Sequence, residues 1–240
     1  MLGSVLTVAG AAAAVAAGYQ SMSPTGQWYG RTFTGLAPGS RQLALTYDDG
    51  PNDPCTLRLL EILAKHNVRA TFFLIGRYVR QRPNIVRALL EAGHAIGNHT
   101  FAHPNLIFAT PGQTRSELQA CAQAIQDAGA TPSSLFRPPF GGRRPGTLRI
   151  ARSMGLTPVM WNVAGRDWVA KSPEEIEVSI KRAVRGGDVI LLHDGSHHGM
   201  GADRAHTVTA TDRLITHFKA SGYQFVTIPQ MIEQAATSSR

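Results

Sequence analysis

The chain has 240 residues and a mass of 25.8 kDa, enough for one large domain or two small ones with a core that needs no staples. An apolar fraction of 43% against a charged fraction of 17% excludes a disordered polyelectrolyte, and two cysteines, Cys55 and Cys121, exclude a disulfide scaffold or a four-cysteine zinc site, leaving one bridge or none. The net charge of +8 rests on twenty Arg and four Lys, but no basic run exceeds Arg143-Arg144, so a solvated basic surface is expected and no nucleic-acid partner.

No side chain is charged before Arg31, and residues 1–20 are mostly Ala, Val, Leu and Gly. They read as an apolar segment, a signal or a membrane anchor, with small residues at Ala14-Val15-Ala16 and with Tyr19, Trp28 and Tyr29 suited to a membrane interface. An extracytoplasmic location, secreted or membrane-anchored, is expected. Against it, Arg31 and Arg41 follow the segment and nothing basic precedes it, which by the positive-inside rule favours the opposite topology. Residues 21–40, rich in Gly, Ser, Pro and Thr, read as a linker or irregular arm.

From 41 to 240, β-rich runs alternate with helical patterns. Strands are predicted at Leu43–Tyr47, Ala70–Ile75, Ala95–Asn98, Leu135–Arg137, Thr157–Val163, Asp188–His193 and Gln224–Ile228. Helices are predicted at Cys55–His66, Val79–Glu91, Gln113–Ala128, Gly146–Met154, Pro173–Val184, Arg204–Ala220 and Pro229–Ala235. Ser172-Pro173-Glu174-Glu175 supplies an N-cap, a proline at the first position and acids in the first turn, and Gly129 and Gly222 sit at helix ends. The alternation argues for one α/β domain with about seven parallel strands, closed as a barrel or left as an open sheet.

In either architecture the loops at the C-terminal ends of strands build the site. Those ends carry most of the titratable residues of interest. Asp48-Asp49 leaves the first strand, where adjacent side chains point apart, so one carboxylate can bind a metal while the other stays free as a base. His99 and His103 have i, i+4 spacing, which puts both rings on one face of a helical turn, although Pro104 limits that turn. Two neutral imidazoles and one carboxylate would leave open positions on a zinc-like ion. Arg137, before two prolines, is a guanidinium fork able to hold a carboxylate. His193 ends the apolar run Val189–Leu192, and Asp167, beside Trp168, would raise its pKa if the two pair, as suits a general acid. His197-His198 reads as a solvated Gly-rich loop; His66, His94, His206 and His217 read as structural or exposed.

These residues resemble the polysaccharide deacetylases, the NodB-like domain of carbohydrate esterase family four. Five motifs run in family order over nearly all of 41–240: Thr46–Gly50, His99–His103, Arg137–Phe140, Asp167-Trp168 and Leu191–His193. The resemblance implies a distorted (β/α) barrel holding one divalent metal, usually zinc, with cobalt as a substitute. It implies Asp49, His99 and His103 as metal ligands, Asp48 as general base oriented by Arg137, and His193 as general acid tuned by Asp167. Trp168 and Leu191 would wall the acetyl methyl, and the Phe140 backbone N–H would face the oxyanion. Tyr47 stands for the commoner Phe, and Ala164, with Arg166 nearby, for an earlier Asp of the fourth motif, which alters substrate contacts there. The implied activity is metal-dependent removal of N-acetyl groups from an N-acetylated glycan such as chitin oligomers or peptidoglycan, with O-acetyl removal from xylan or another acetylated polysaccharide as the alternative.

Overall fold

The computed structural model describes residues 15–131 and 133–237, so most of the apolar segment 1–20 lies outside the described residues. Among the described residues, no helix is long and apolar enough to cross a membrane. The strands are β1 (Gln42–Gly50), β2 (Thr71–Leu74), β3 (Ala95–Asn98), β4 (Leu135–Phe136), β5 (Thr157–Pro158), β6 (Val163–Ala164), β7 (Val189–His193) and β8 (Gln224–Phe225). Seven lie in the order β5-β4-β3-β2-β1-β7-β6, and β8 pairs only with the start of β1; every pairing is parallel. Residues 15–22 are helical, and from β1 onward the helices are α1 (Cys55–Lys65), α2 (Gly76–Gln81), α3 (Pro83–Glu91), α4 (Pro111–Asp127), α5 (Pro145–Ser153), α6 (Pro173–Ala183), α7 (Ala205–Ala220) and α8 (Ile228–Thr237).

The predicted strand Thr157–Val163 is in fact two strands on opposite edges of the sheet. Only residues 159–162 separate β5 from β6, and a link of that length spans at most about 18 Å. The two edges therefore approach each other, and the sheet curls into a half-barrel. The gap between them is filled by the arm: Phe33 bridges to Val159 and Gly35 to Asp188, and Phe33 and Leu36 pack into the interior. The predicted helix Val79–Glu91 is likewise divided, because Pro83 cannot donate a backbone hydrogen bond and forces Arg82 out of the helical region (φ −134, ψ 56).

Period-two alternation sorts each strand. Leu43, Leu45 and Tyr47 of β1 point outward into the main core beneath the helices, as do Phe72 and Leu74 of β2 and Ile190 and Leu192 of β7. Ala44, Phe73 and Val189 point inward, and Ile228 and Met231 of α8 join them at the strand starts. Burying each large aliphatic or aromatic side chain contributes about 1.5–3 kcal/mol. Several helix signals act as expected: Ser172 accepts from Glu175 N–H at the start of α6, and Gly129 and Gly222 turn the chain at φ 95 and 80 after α4 and α7. Cys55 and Cys121 are both buried and free.

Candidate active site

By the same alternation Asp48 points inward with Ala44 and Thr46, and Asp49 would point out. The β1–β2 register shifts between Asp48 and Gly50, and Asp49 takes φ 73. This irregularity swings the second carboxylate to the same end of the barrel. Thr100, His103, Phe140 and Arg166 also have positive φ, a costly conformation outside glycine that persists only when the surroundings enforce it. Close packing enforces it here: a Cβ on Gly195 would sit 2.2 Å from Asp49 O.

His99 and His103 do come together, with ring centroids 4.9 Å apart, but not on a helical turn. Residues 99–103 form an irregular loop. Its left-handed Thr100 and His103 close it as His103 N–H donates to Thr100 Oγ1 (3.1 Å), and Glu117 Oε2 accepts from Phe101 and Ala102 N–H. One nitrogen of each ring and an oxygen of Asp49 lie within 4.8 Å of one another, all three residues being buried. His99 Nδ1 lies 2.7 Å from Arg137 O. A carbonyl can only accept, so Nδ1 carries the proton and Nε2 presents a lone pair. Burial pushes the His99 pKa down to about 4, so the ring is neutral at physiological pH.

Asp49 Oδ1 lies 3.1 Å from His103 Nε2 and 3.6 Å from His99 Nε2, yet it is buried with no hydrogen-bond donor aligned on it. Burial pushes the Asp49 carboxyl up, but contacts with His103 and His197 outweigh it and hold the group well below the usual carboxylate range. An orphaned carboxylate oxygen beside a nitrogen lone pair is a poor arrangement by itself and a good one around a cation. The donor set of one carboxylate and two imidazoles fits a divalent ion with open positions.

Asp48 Oδ1 accepts from Arg137 Nη1 at 2.7 Å, while Oδ2 lies 3.7 Å from His99 Nε2. Arg137 engages Asp48 through one nitrogen rather than as a two-pronged fork. Its other donors bind Thr46 Oγ1, Val159 O and Met160 O, and its guanidinium lies over Phe73, 4.1 Å from the ring centroid. His193 is the β7 residue in register with Asp48 on β1. Its Nδ1 meets Asp167 Oδ1 at 2.9 Å, and its backbone N–H donates to Asp167 Oδ2 at 2.7 Å, where Thr207 Oγ1 also donates. Burial works against protonation of His193, but the Asp167 carboxylate outweighs it and raises the pKa to about 9. Asp167 is correspondingly lowered, burial notwithstanding.

Asp48, Asp49, His99, His103 and His193 line a cleft of about 520 Å³ together with Phe140, Trp168 and Leu191, while Arg137 and Asp167 lie buried behind their partners. Phe140 and Trp168 are 45% and 48% exposed; Trp168 meets His193 edge-on at 5.3 Å and Phe140 meets His103 at 4.6 Å. All ten sequence-chosen residues thus gather at one end of the barrel. The solvated-loop reading of His197-His198 holds for His198, which is exposed, but not for His197. The His197 ring stacks on His103 at 4.6 Å, and its backbone N–H donates to Asp49 Oδ2 at 3.2 Å. The loop is pinned by Arg77 to His197 O, Tyr78 to Ser196 O (3.0 Å), Arg204 to Gly195 O (2.7 Å) and Asn52 to Asp194 O and Ala202 O. Trp161, Ser196 and Arg204 also line the cleft and were not singled out in the sequence; His197 and His198 line it too, and the sequence noted that pair without placing it in the site.

A family model described as polysaccharide deacetylase matches residues 36–159. A chitooligosaccharide deacetylase of Bradyrhizobium is 35% identical over 206 residues, 82% of this chain and 93% of that protein. A crystal structure of a peptidoglycan N-acetylglucosamine deacetylase superposes with a TM-score of 0.78 at 33% identity, covering 83% of this chain and 91% of that one. A family-four pseudoenzyme from Bacillus anthracis superposes at 0.76 with 29% identity, covering 84% and 68%. The shared fold therefore does not by itself carry activity, and the argument for function rests on the site.

Proposed function

The chain belongs to the polysaccharide deacetylase family, and from that premise we propose that it hydrolyses N-acetyl groups on a glycan of the chitin-oligomer or peptidoglycan type, using one zinc ion. The observation that carries the reading is the buried convergence of Asp49, His99 and His103 at the same strand ends as two polar pairs, Asp48–Arg137 and His193–Asp167. The relatives named for N-acetylated substrates favour the amide over the ester of acetylxylan.

Asp49, His99 and His103 would hold the ion, which when bound supplies Lewis acidity toward an acyl oxygen and lowers the pKa of water. Asp48 keeps Oδ1 on Arg137 and takes the proton of the attacking water on Oδ2. The Phe140 N–H donates to the oxyanion as the carbonyl becomes tetrahedral. His193, protonated below about pH 9 and held at Nδ1 by Asp167, has Nε2 for delivering a proton to the leaving nitrogen. Phe140, Trp168 and Leu191 surround the acetyl group. Water and amide become acetate and a free amine. On this reading 41–240 is the catalytic domain, 21–40 an arm, and 1–20 a signal or anchor for work outside the cytoplasm.

An acetate-release screen across N-acetylglucosamine oligomers, peptidoglycan and acetylxylan tests the reading. Release from an N-acetylated substrate, with little from acetylxylan, is expected. Release from acetylxylan alone would replace the N-deacetylase assignment by an O-esterase.

A further inference from the structure

The arm and the Phe140 turn meet at one buried side chain that the chemistry above does not use. Arg143 is 1% exposed, and none of the described carboxylates pairs with it. Its Nη1 donates to Gly141 O (3.0 Å), its Nη2 to Ser23 O (2.6 Å) and Gly26 O (2.7 Å), and its backbone N–H to Ser21 O (3.0 Å). Nε has no partner. Burying a guanidinium without a counter-charge is expensive even when carbonyls take most of its donors. What the arrangement achieves is a tie between two segments over a hundred residues apart in the chain.

One of those segments is strained and faces the cleft. Phe140 and Gly141 both have positive φ, 58 and 68. The turn closes with Gly141 and Gly142 N–H on the carbonyls of Pro138 and Pro139, and the Phe140 N–H takes no part in that pair. A strained turn of this kind needs surrounding contacts to fix it. The arm end is held in its own right: Tyr29 Oη donates to Ala17 O (2.8 Å) and accepts from Ser21 Oγ (3.3 Å).

We propose that Arg143 is a positioning residue for deacetylation: it clamps the Phe140 turn to the N-terminal arm, so that residues 21–26 help set the backbone N–H facing the reacting carbonyl. The part played by that N–H rests on the function proposed above; the clamp itself does not. An N–H out of place costs transition-state stabilisation while Trp168, Leu191 and the three side chains Asp49, His99 and His103 all remain in the chain.

The test compares zinc-loaded, full-length wild type with Arg143→Met, Arg143→Lys and Tyr29→Phe. The readouts are kcat and KM for acetate release from an N-acetylglucosamine oligomer, zinc affinity by chelator competition, and amide hydrogen exchange. The two Arg143 variants should lose about tenfold to a hundredfold in kcat, with KM and zinc affinity near wild type, and exchange should quicken at 21–26 and 139–142 together. Tyr29→Phe, which leaves Arg143 intact and keeps the protein testable if an Arg143 variant does not fold, should quicken exchange at both segments and lower kcat a few-fold. Exchange quickened at the arm but unchanged at 139–142 would overturn the clamp. So would unchanged kcat, or a loss of kcat that merely follows lost zinc affinity. A wild type that releases no acetate would refute the proposed function instead, and the exchange data would still decide the clamp.

Discussion

Asp167 receives three hydrogen bonds, two of them from His193, and this fixes the protonation of the proposed acid. In Asp167→Asn burial acts on the imidazole with only the smaller influence of Asp49 and Asp48 against it, so the alkaline limb of the pH–rate profile should fall from near 9 toward the ordinary histidine range. A limb that stays near 9 would show that His193 is not the titrating acid. The same pair links stability to pH. His193 has a raised folded pKa, so its contribution is complete below its unfolded value of about 6.5 and is lost as pH rises through about 9. Asp167 has a lowered one, so its contribution holds above about 3.9 and is lost as pH falls further. The adjacent carboxylates should separate by function. Asp48→Asn should retain zinc and lose about 10²–10⁴ in rate, the usual range for a general base, whereas Asp49→Asn should lose zinc; metal content and acetate release on both proteins check this.

At the scale of elements, β3 carries a glycine for a spatial reason. A Cβ at Gly97 would meet the Phe73 ring at 2.3 Å, and Phe73 in turn underlies the Arg137 guanidinium. Gly97→Ala should therefore destabilise the fold by about 1–3 kcal/mol through overpacking and lower activity by moving Arg137. Thermal melting and acetate release measure the two effects, and a variant with wild-type values for both would contradict the packing account. The sequence revealed the strand ends well because apolar runs stop abruptly at Asp48, Asn98, Arg137 and His193. It did not reveal how Asp49 joins Asp48, since a local register shift and a left-handed residue leave no periodic trace. The division of Thr157–Val163 was hidden for a related reason: two two-residue strands joined by the mostly apolar residues 159–162 read as one continuous run. The His99–His103 spacing suggested a helical turn, but two left-handed residues and Glu117, fourteen residues further on, shape that loop instead. The loop holding His197 is pinned by Asn52, Arg77 and Tyr78, contacts across more than a hundred residues that no local pattern records.

The whole molecule is a half-barrel whose strand ends supply both polar pairs and the histidine loop, while the arm fills the gap between its two edges. The alternation of strands and helices made that architecture readable, and the five ordered motifs identified its functional end. The proposed function requires that Asp49, His99 and His103 bind one divalent ion, without which the glycan is not deacetylated. The most direct measurement is a zinc titration of chelator-stripped protein, following bound metal and acetate release from an N-acetylglucosamine oligomer on the same samples. Stripped protein should be inactive, with activity rising in step with metal to a plateau at about one zinc per chain. Full acetate release from protein shown by elemental analysis to contain no metal would contradict the account.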